Sequence, residues 1–166
     1  IASFWGYGAA DAPFESEPSE FYRSTSPLVN RADAFAAVGG EVLTATGPGM
    51  DGRWPYYLYL RQQGLWLEEV SGLDPLTQQR ELDSFASVRN VDGDFPPTVL
   101  VHGTNDEDVA YAESAGLAAE LLRHGVVHQL VTVEGAGHGL SGVGFDVLSD
   151  AIDQSLAFID EHLRGR

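Results

Sequence analysis

The sequence predicts an α/β fold with parallel strands, because strand and helix patterns alternate along its second half. Short apolar, β-branched runs at Thr98–Val101 and His128–Val133 are typical of strands buried on both faces. Apolar residues at helical spacing follow these runs, over Val109–His124 and over Phe145–Leu163. Strand, helix, strand, helix in this order indicates parallel strands joined by right-handed crossovers.

Composition limits the class of protein. The chain has 166 residues, of which 43% are hydrophobic, so it is long and apolar enough for one domain with a core. No apolar run approaches the roughly 18 residues of a transmembrane helix, and no cysteine is present for disulfides or thiolate metal sites. The formal net charge of −16 argues against nucleic acid and anionic membrane surfaces as partners. No secretory signal is visible, which favours a cytoplasmic location.

The first half of the chain has a different character. Residues 1–9 are interpreted as a core strand, Ile1–Trp5, and the turn after it. Residues 10–94 are rich in proline, glycine, serine and acids, with scattered aromatic residues and short helical patterns. Because insertions this long are often lids over a site, we expect a helical lid or cap over 10–94 and a C-terminal α/β core over 95–166.

Glycine, proline and apolar spacing place the helices of the expected lid. Thr46–Arg53 reads as a loop, and Trp54–Gln63 reads as a helix with Pro55 in its first turn. Further short helices are predicted at Glu17–Ser24, Arg31–Val38 and Leu65–Val70, and from Asp74 onward.

Candidate catalytic residues follow each of the two C-terminal strands. Three acids, Asp106, Glu107 and Asp108, crowd the loop after the first strand, and His138 lies between two glycines after the second. Open α/β sheets place their chemistry at the carboxyl ends of their strands. An acid after one strand and a histidine after the next is the order of the last two members of a Ser…Asp…His triad.

Each of these residues also has a structural interpretation. Asp106 could cap the helix that follows, and Glu107 and Asp108 could be solvated acids, with Asp108 placed as an N-cap before Val109. His138 could be a turn histidine bonded to a backbone carbonyl. The presence of an acid and a histidine on successive loops favours the catalytic interpretation of Asp106 and His138.

Three segments resemble those of a known family. His102–Val109 (HGTNDEDV) resembles the HGxxDxxV segment of α/β-hydrolase-fold serine hydrolases, and Gly135–Gly139 (GAGHG) resembles their GxGHG segment. Ile1–Gly8 (IASFWGYG) is similar to the strand and turn after the nucleophile helix of esterase-type members. The resemblance is to the prolyl-oligopeptidase-like and dienelactone-hydrolase-like esterases and peptidases, and it is specific from Phe95 onward.

The resemblance implies both a fold and an activity. The fold is the C-terminal part of a doubly wound, mostly parallel α/β-hydrolase sheet with a helical lid insertion. Asp106 matches the triad acid and His138 the triad base, and the choice of Asp106 over Asp108 rests on the family spacing. The implied activity is that of a serine carboxylesterase that acts on a small ester through an acyl-enzyme, with a prolyl-oligopeptidase-like peptidase as an alternative.

The sequence departs from the family at the nucleophile. The family's serine lies in a G-x-S-x-G elbow, and no serine of this chain has those neighbours. Ser141 is nearest in pattern but follows the histidine, so it is only a minor alternative. We therefore expect the partner of this chain to be a missing N-terminal half of the same catalytic domain, and the isolated chain to be inactive. The alternative is a non-catalytic binding or scaffold module, and an oligomer is possible.

Aromatic residues of the expected lid are candidates for substrate contact. Trp54, Tyr57 and Trp66 would favour aromatic or apolar acyl or alcohol groups if they faced the cleft. The alternative is that they form the core of the lid. His102 has a structural interpretation as the residue that closes the end of its strand.

A metal site is considered and set aside. Glu120, His124 and His128 recur every four residues, which on one helix would resemble a metal-binding cluster. Gly125 and the strand after it interrupt that helix. We therefore expect no metal and no cofactor.

The predicted elements leave apolar surface to be covered. The last helix carries seven apolar residues on one side, Val147, Leu148, Ala151, Ile152, Leu156, Ile159 and Leu163. Three predicted strands are too few for a parallel sheet to close its own edges. We therefore expect the isolated chain to be poorly folded, or stable only beside another chain or segment.

Overall fold

The computed structural model describes residues 18–38 and 49–163, without the side chains of 49–52 and 163. The predicted strand Ile1–Trp5 and its turn lie outside these residues. Among the described residues, 18–38 and 49–82 form one compact unit, and 83–163 form another. The interpretation of residues 10–94 as a lid stays a prediction.

The first unit is helical. It contains α1 (Glu20–Thr25), α2 (Arg31–Ala36), α3 (Gly49–Gln63), α4 (Trp66–Ser71) and α5 (Gln79–Asp83), whose last residue belongs to the second unit. Side chains cap the first two helices, because Ser19 accepts from the Tyr22 N–H at 3.4 Å and Asn30 accepts from the Asp33 N–H at 3.0 Å. Gly72 ends α4 in the left-handed conformation, with φ of 70°.

Helix α3 corrects one prediction from the sequence. The sequence predicts a loop over Thr46–Arg53, but α3 begins at Gly49 and contains Pro55 in its interior. Aromatic packing explains the difference, because Trp54 stacks on Tyr57 within α3 with ring centroids 5.3 Å apart, and Tyr22 of α1 meets Trp54 edge to face at 6.1 Å. Such contacts outweigh the weak helix propensity of glycine and proline. The helix predicted from Asp74 is a turn instead, and α5 starts at Gln79.

The second unit is the α/β part of the chain. It contains β1 (Thr98–Gly103), α6 (Tyr111–Arg123), β2 (His128–Val133) and α7 (Phe145–Leu163). The two strands are parallel, with Thr98 opposite His128 and Gly103 opposite Val133. The predicted parallel pairing is confirmed, and β1 runs on through His102 and Gly103 beyond its predicted end.

Helices cover both faces of this small sheet. On one face Leu121 of α6 packs with Leu100 of β1 and with Val126. On the other face Ala151 of α7 packs with Val131 of β2. This is the layering of a doubly wound sheet, helix on strand on helix, and it places both strand ends at one edge.

Part of the apolar surface of α7 is exposed. The buried side of the helix includes Ala151 and Phe158, which are 3% and 8% exposed. Ala151 belongs to the predicted apolar side, but three other residues of that side are more open, since Ile152, Leu156 and Ile159 are 54%, 56% and 40% exposed. None of the helices in the described part of the chain has both the length and the hydropathy to cross a bilayer.

Candidate active site

The loop that carries the acids is tied by its backbone to the loop that carries the histidine. The Thr104 N–H donates to the Val133 carbonyl at 3.1 Å. The Asn105 N–H donates to the Ala136 carbonyl at 2.9 Å. Gly103 allows this approach, because a Cβ at that position would overlap the Ala136 carbonyl group. The two loops therefore meet at the carboxyl edge of the sheet.

Glycines shape the turn around the histidine. Gly139 has φ of 64°, in the left-handed region that favours glycine. Gly137 is extended, but a Cβ there would lie 2.9 Å from Ser141 Oγ. The Gly137 N–H donates to the Ser141 carbonyl at 2.8 Å, which closes the loop around a 3₁₀ turn, His138–Leu140.

The structure brings Asp106 and His138 together. Asp106 Oδ2 lies 3.0 Å from His138 Nδ1, although the residues are 32 positions apart in sequence. Because an ionised carboxylate only accepts hydrogen bonds, we assign the shared proton to Nδ1. The Nε2 atom then carries a lone pair and can accept a proton. The Asp106 side chain is 7% exposed and the imidazole is 58% exposed, so the acid is sheltered and the base is accessible.

The environment of Asp106 keeps its carboxyl group ionised. Burial is the largest single influence and raises its pKa. Hydrogen bonds from the Val109 N–H, from His138 and from the Asp108 N–H outweigh burial, together with the charge of His138. The net pKa of Asp106 therefore lies below its ordinary value of 3.8. Such a group can hold an imidazole in one tautomer and stabilise an imidazolium.

The other oxygen of Asp106 has a structural task. Oδ1 accepts from the Asp108 N–H at 3.0 Å and from the Val109 N–H at 2.8 Å. These bonds form a turn after Asp106, and α6 therefore starts only at Tyr111 with Ala110 as its N-cap. The prediction that Asp108 caps a helix before Val109 is wrong for this reason.

The neighbouring acids differ in exposure. Glu107 is exposed, as predicted for a solvated acid. The Asp108 side chain is only 10% exposed, and its Oδ2 lies 3.7 Å from His138 Nε2. Asp108 is therefore not the solvated acid that the sequence predicts. Its distance from the imidazole exceeds that of a hydrogen bond, so the geometry favours Asp106 as the partner of the histidine.

Ser141 does not complete a triad in the described part of the chain. Its hydroxyl lies beside the Cα of Gly137, and the hydrogen bonds of the described residues include none from this hydroxyl to His138. Ser141 instead ends the 3₁₀ turn, with its N–H donating to the His138 carbonyl at 3.4 Å. This arrangement argues against Ser141 as a nucleophile.

A cavity of about 380 Å³ opens beside the acid and the histidine. Asp106 and His138 line it, and apolar side chains such as Val88, Val101 and Leu117 form much of the rest of its wall. All these residues belong to the second unit. The cavity supplies an apolar space next to an accessible imidazole.

His102 also lies at this site, although the sequence indicated only that it closes the end of its strand. It is 8% exposed, and both of its ring nitrogens have polar partners. Nε2 lies 3.4 Å from Asp106 Oδ2, so the acid has an imidazole on either side. The sequence feature that could have indicated this position is a histidine at the end of an apolar strand, directly before the acid loop.

The histidines predicted not to bind metal lie in separate elements. His124 Nε2 is 3.9 Å from Glu120 Oε2, whereas His128 lies on β2 and bonds the Val126 carbonyl at 2.9 Å. Gly125, with φ of 70°, ends the helix between them. Over residues 18–38 and 49–163, no group of three or more His, Cys, Asp or Glu is placed to hold a metal ion.

The three aromatic candidates for substrate contact pack together in the helical unit. Trp54 stacks on Tyr57, and Tyr57 meets Trp66 edge to face with centroids 5.1 Å apart. Tyr22 also contacts this cluster, with its centroid 5.7 Å from that of Tyr57. Trp54 is 49% exposed. The cluster combines a packed interior with one open aromatic surface.

Comparison with known proteins identifies the family of this chain. Residues 51–166 match the family model described as the prolyl oligopeptidase family. No curated protein matches the chain. A solved structure described as a truncated form of carbohydrate esterase from gut microbiota is 20% identical, with a TM-score of 0.42. That alignment covers 66% of this chain and 34% of the esterase, so the chain spans about a third of that protein's length.

The family match includes β1, β2 and both loops at the sheet edge. It also reaches upstream through α4 and α5 and most of α3, into residues interpreted from the sequence as a variable lid. The match therefore covers more than half of the chain. The chain belongs to the prolyl oligopeptidase family, and its described residues form part of an α/β-hydrolase fold.

Proposed function

We propose that this chain supplies the acid and the base of a serine hydrolase. Asp106 is the triad acid and His138 is the general base. The nucleophilic serine lies on a segment outside these 166 residues. The observation that supports the proposal is the 3.0 Å contact between an ionised, sheltered carboxylate and an accessible imidazole, beside an apolar cavity.

The residues of the chain have defined tasks in this reaction. His138 Nε2 accepts the proton of the serine hydroxyl as the oxygen attacks the acyl carbon of the substrate. Asp106 keeps the Nδ1 proton in place and stabilises the imidazolium that forms. The imidazolium then protonates the leaving alcohol, and an acyl-enzyme remains. Water, activated by the same His138, releases the acid and restores the serine.

We propose an ester as the substrate and a peptide as the alternative. An ester fits the apolar lining of the cavity, which suits an acyl or alcohol group without charge. The family of the chain is named for a peptidase activity, which supports the alternative. A p-nitrophenyl ester and the p-nitroanilide of the same acyl group distinguish the two. The ester proposal fails if the anilide has the higher kcat/KM.

The decisive experiment uses the protein extended by the sequence that precedes Ile1 in its gene. We expect a fluorophosphonate probe to label this protein at a serine upstream of Ile1. His138→Ala should lower the labelling rate by about 10³- to 10⁴-fold, because the serine loses its general base. Intact mass and peptide mapping locate the label.

His124→Ala is the matched control, because it removes the histidine at the C-cap of α6, which is separate from the acid and histidine loops. Its labelling rate should equal that of the parent protein. Absence of labelling in the extended protein, or equal labelling of the parent and the His138→Ala variant, would refute the proposed function.

A second candidate function is a hydrolase-derived binding or scaffold module. It is favoured by the absence of a G-x-S-x-G elbow from the sequence. Under this alternative the natural protein begins at Ile1 and has no companion fragment, and its turnover of p-nitrophenyl esters is at background. Intact mass of the protein from its source decides between the candidates.

A further inference from the structure

His102 occupies a central position behind the acid. It lies near the end of β1, is 8% exposed, and contacts both α6 and the acid loop. Its Nδ1 lies 2.6 Å from Ser114 Oγ in α6, and its Nε2 lies 2.9 Å from the Val109 carbonyl oxygen in the acid loop. The ring also meets Tyr111 edge to face, with centroids 5.8 Å apart. A residue that only closed a strand end would not need this set of partners.

The partners of His102 determine where its proton lies. A backbone carbonyl can only accept, so the bond to Val109 requires a proton on Nε2. In the neutral ring Nδ1 is then an acceptor, and the Ser114 hydroxyl donates to it. The Val109 carbonyl therefore fixes the tautomer in which Nε2–H points toward the acid loop, and the Ser114 hydroxyl, which can donate or accept, serves as the partner of Nδ1. The same Nε2 lies 3.4 Å from Asp106 Oδ2, which places the Asp106 carboxylate within the electrostatic reach of this N–H.

Val109 links His102 to the carboxylate a second time. The Val109 N–H donates to Asp106 Oδ1 at 2.8 Å, and the Val109 carbonyl accepts from His102 Nε2. His102 thus acts on Asp106 through two routes. One route is direct, at Oδ2, and the other passes through the Val109 peptide that holds Oδ1.

We propose that His102 is a positioning residue for Asp106, and that Ser114 holds its Nδ1 so that Nε2–H stays directed at the acid loop. The effect of His102 on catalysis rests on the proposed function. His102 holds the acid loop so that Oδ2 stays aimed at His138 Nδ1. It takes no proton in the reaction and does not touch the reacting atoms. Its effect therefore appears in kcat, through the imidazole that Asp106 orients.

The test compares two substitutions of His102 in the extended protein described above. His102→Phe keeps an aromatic ring against Tyr111 but removes the N–H donor. His102→Gln removes the ring and keeps an N–H donor near the position of Nε2. We expect His102→Phe to lower kcat by about 10- to 100-fold, since misplacement of a catalytic group by about 1 Å has an effect of this size. KM should change less than twofold in both variants, and His102→Gln should recover most of the lost kcat.

A readout that does not depend on turnover separates this proposal from the proposed function. The His138 Nδ1 proton, observed by NMR on protein with isotope-labelled histidine, reports the bond to Asp106. It should be protected from exchange in the parent and in His102→Gln, and exchange rapidly in His102→Phe. If the parent is inactive but this pattern holds, the proposed function fails and the positioning role stands.

Other outcomes overturn the positioning role. Equal loss of kcat in His102→Phe and His102→Gln, a loss confined to KM, or a His138 proton that is unchanged in His102→Phe would each do so. If His102→Phe does not fold, Ser114→Ala replaces it, because this variant keeps the ring and removes the hydroxyl that holds Nδ1 in place. Ser114→Ala should lower kcat and the protection of the His138 proton without changing KM, and unchanged values would overturn the proposal.

Discussion

At the scale of single residues, the two carboxylate oxygens of Asp106 bind different partners. Oδ1 accepts two backbone N–H groups and shapes the loop, while Oδ2 meets His138. The structural and catalytic interpretations of Asp106 are therefore compatible. An acid that first organises its own loop is held in place before any substrate arrives.

The lowered pKa of Asp106 predicts how stability varies with pH. A carboxyl group whose pKa is lower in the folded than in the unfolded protein stabilises the folded state at pH values above its pKa in the unfolded protein. That pKa is about 3.8 to 3.9. That contribution is lost as the pH falls through the lowered pKa. The parent should therefore be more stable than Asp106→Asn near neutral pH, and the difference should narrow below about pH 4.

Urea unfolding at a series of pH values measures this difference. Glu107→Gln is the control, because it removes the exposed carboxylate next to Asp106. A stability gap between the parent and Asp106→Asn that stays constant from neutral to acid pH would contradict the assignment of a lowered pKa.

Gly103 carries a second prediction at the residue scale. A Cβ at this position would overlap the Ala136 carbonyl group, so Gly103→Ala must push the acid and histidine loops apart. We expect a loss of about 1–3 kcal/mol in the free energy of unfolding, the usual effect of overpacking. Gly93→Ala is the matched control, since no heavy atom lies within 4 Å of its Cβ position. Equal melting temperatures for the two variants would refute this account.

At the scale of elements, α3 organises the helical unit through Gln62. This side chain is 1% exposed. Its amide accepts from the Val29 N–H at 3.0 Å and donates to the Tyr22 and Pro27 carbonyls at 3.1 and 3.0 Å. One buried amide therefore fixes the connection between α1 and α2 against α3.

Replacement of Gln62 by leucine tests this connection. Gln62→Leu removes three hydrogen bonds and places apolar atoms against backbone polar groups. We expect a loss of about 1–3 kcal/mol of stability from buried polar groups whose bonds are lost. Tryptophan fluorescence during urea unfolding reports it, because Trp54 and Trp66 lie in the same unit. Gln63→Leu, at the exposed neighbouring position, should unfold at the urea concentration of the parent.

Some elements have the bounds that the sequence predicts, and others do not. The bounds of β2 and α7 equal those predicted, because β2 is a distinct apolar, β-branched run and α7 has a long pattern at helical spacing. The starts of α3 and α6 differ, because specific side-chain contacts decide them and the apolar spacing does not report these contacts. The stacking of Trp54 on Tyr57 supports a helix through glycine and proline, and the bonds from Asp106 Oδ1 delay the start of α6.

At the scale of the whole chain, exposed apolar surface predicts its behaviour in isolation. Ile152, Leu156 and Ile159 are 40–56% exposed on α7, and the described sheet has two strands. Surface of this kind is usually covered by protein. We therefore expect the 166-residue chain alone to unfold over a broad temperature range and to bind a hydrophobic dye, and the extended protein to melt sharply. A sharp, cooperative melt of a verified monomer of the chain alone would contradict this.

The sequence by itself determined the parallel α/β pattern, the loops that carry Asp106 and His138, and their family, because periodicity and motif spacing are local properties. The family spacing already favoured Asp106 over Asp108, but only the tertiary structure decided the 3.0 Å contact of Asp106 with the imidazole, the sheltered position of Asp108, and the place of His102 behind the acid. These facts depend on how two loops from successive strands meet at one edge. Contacts between residues distant in sequence, such as Gly103 with Ala136, determine how the two loops pack, and no local pattern encodes these contacts.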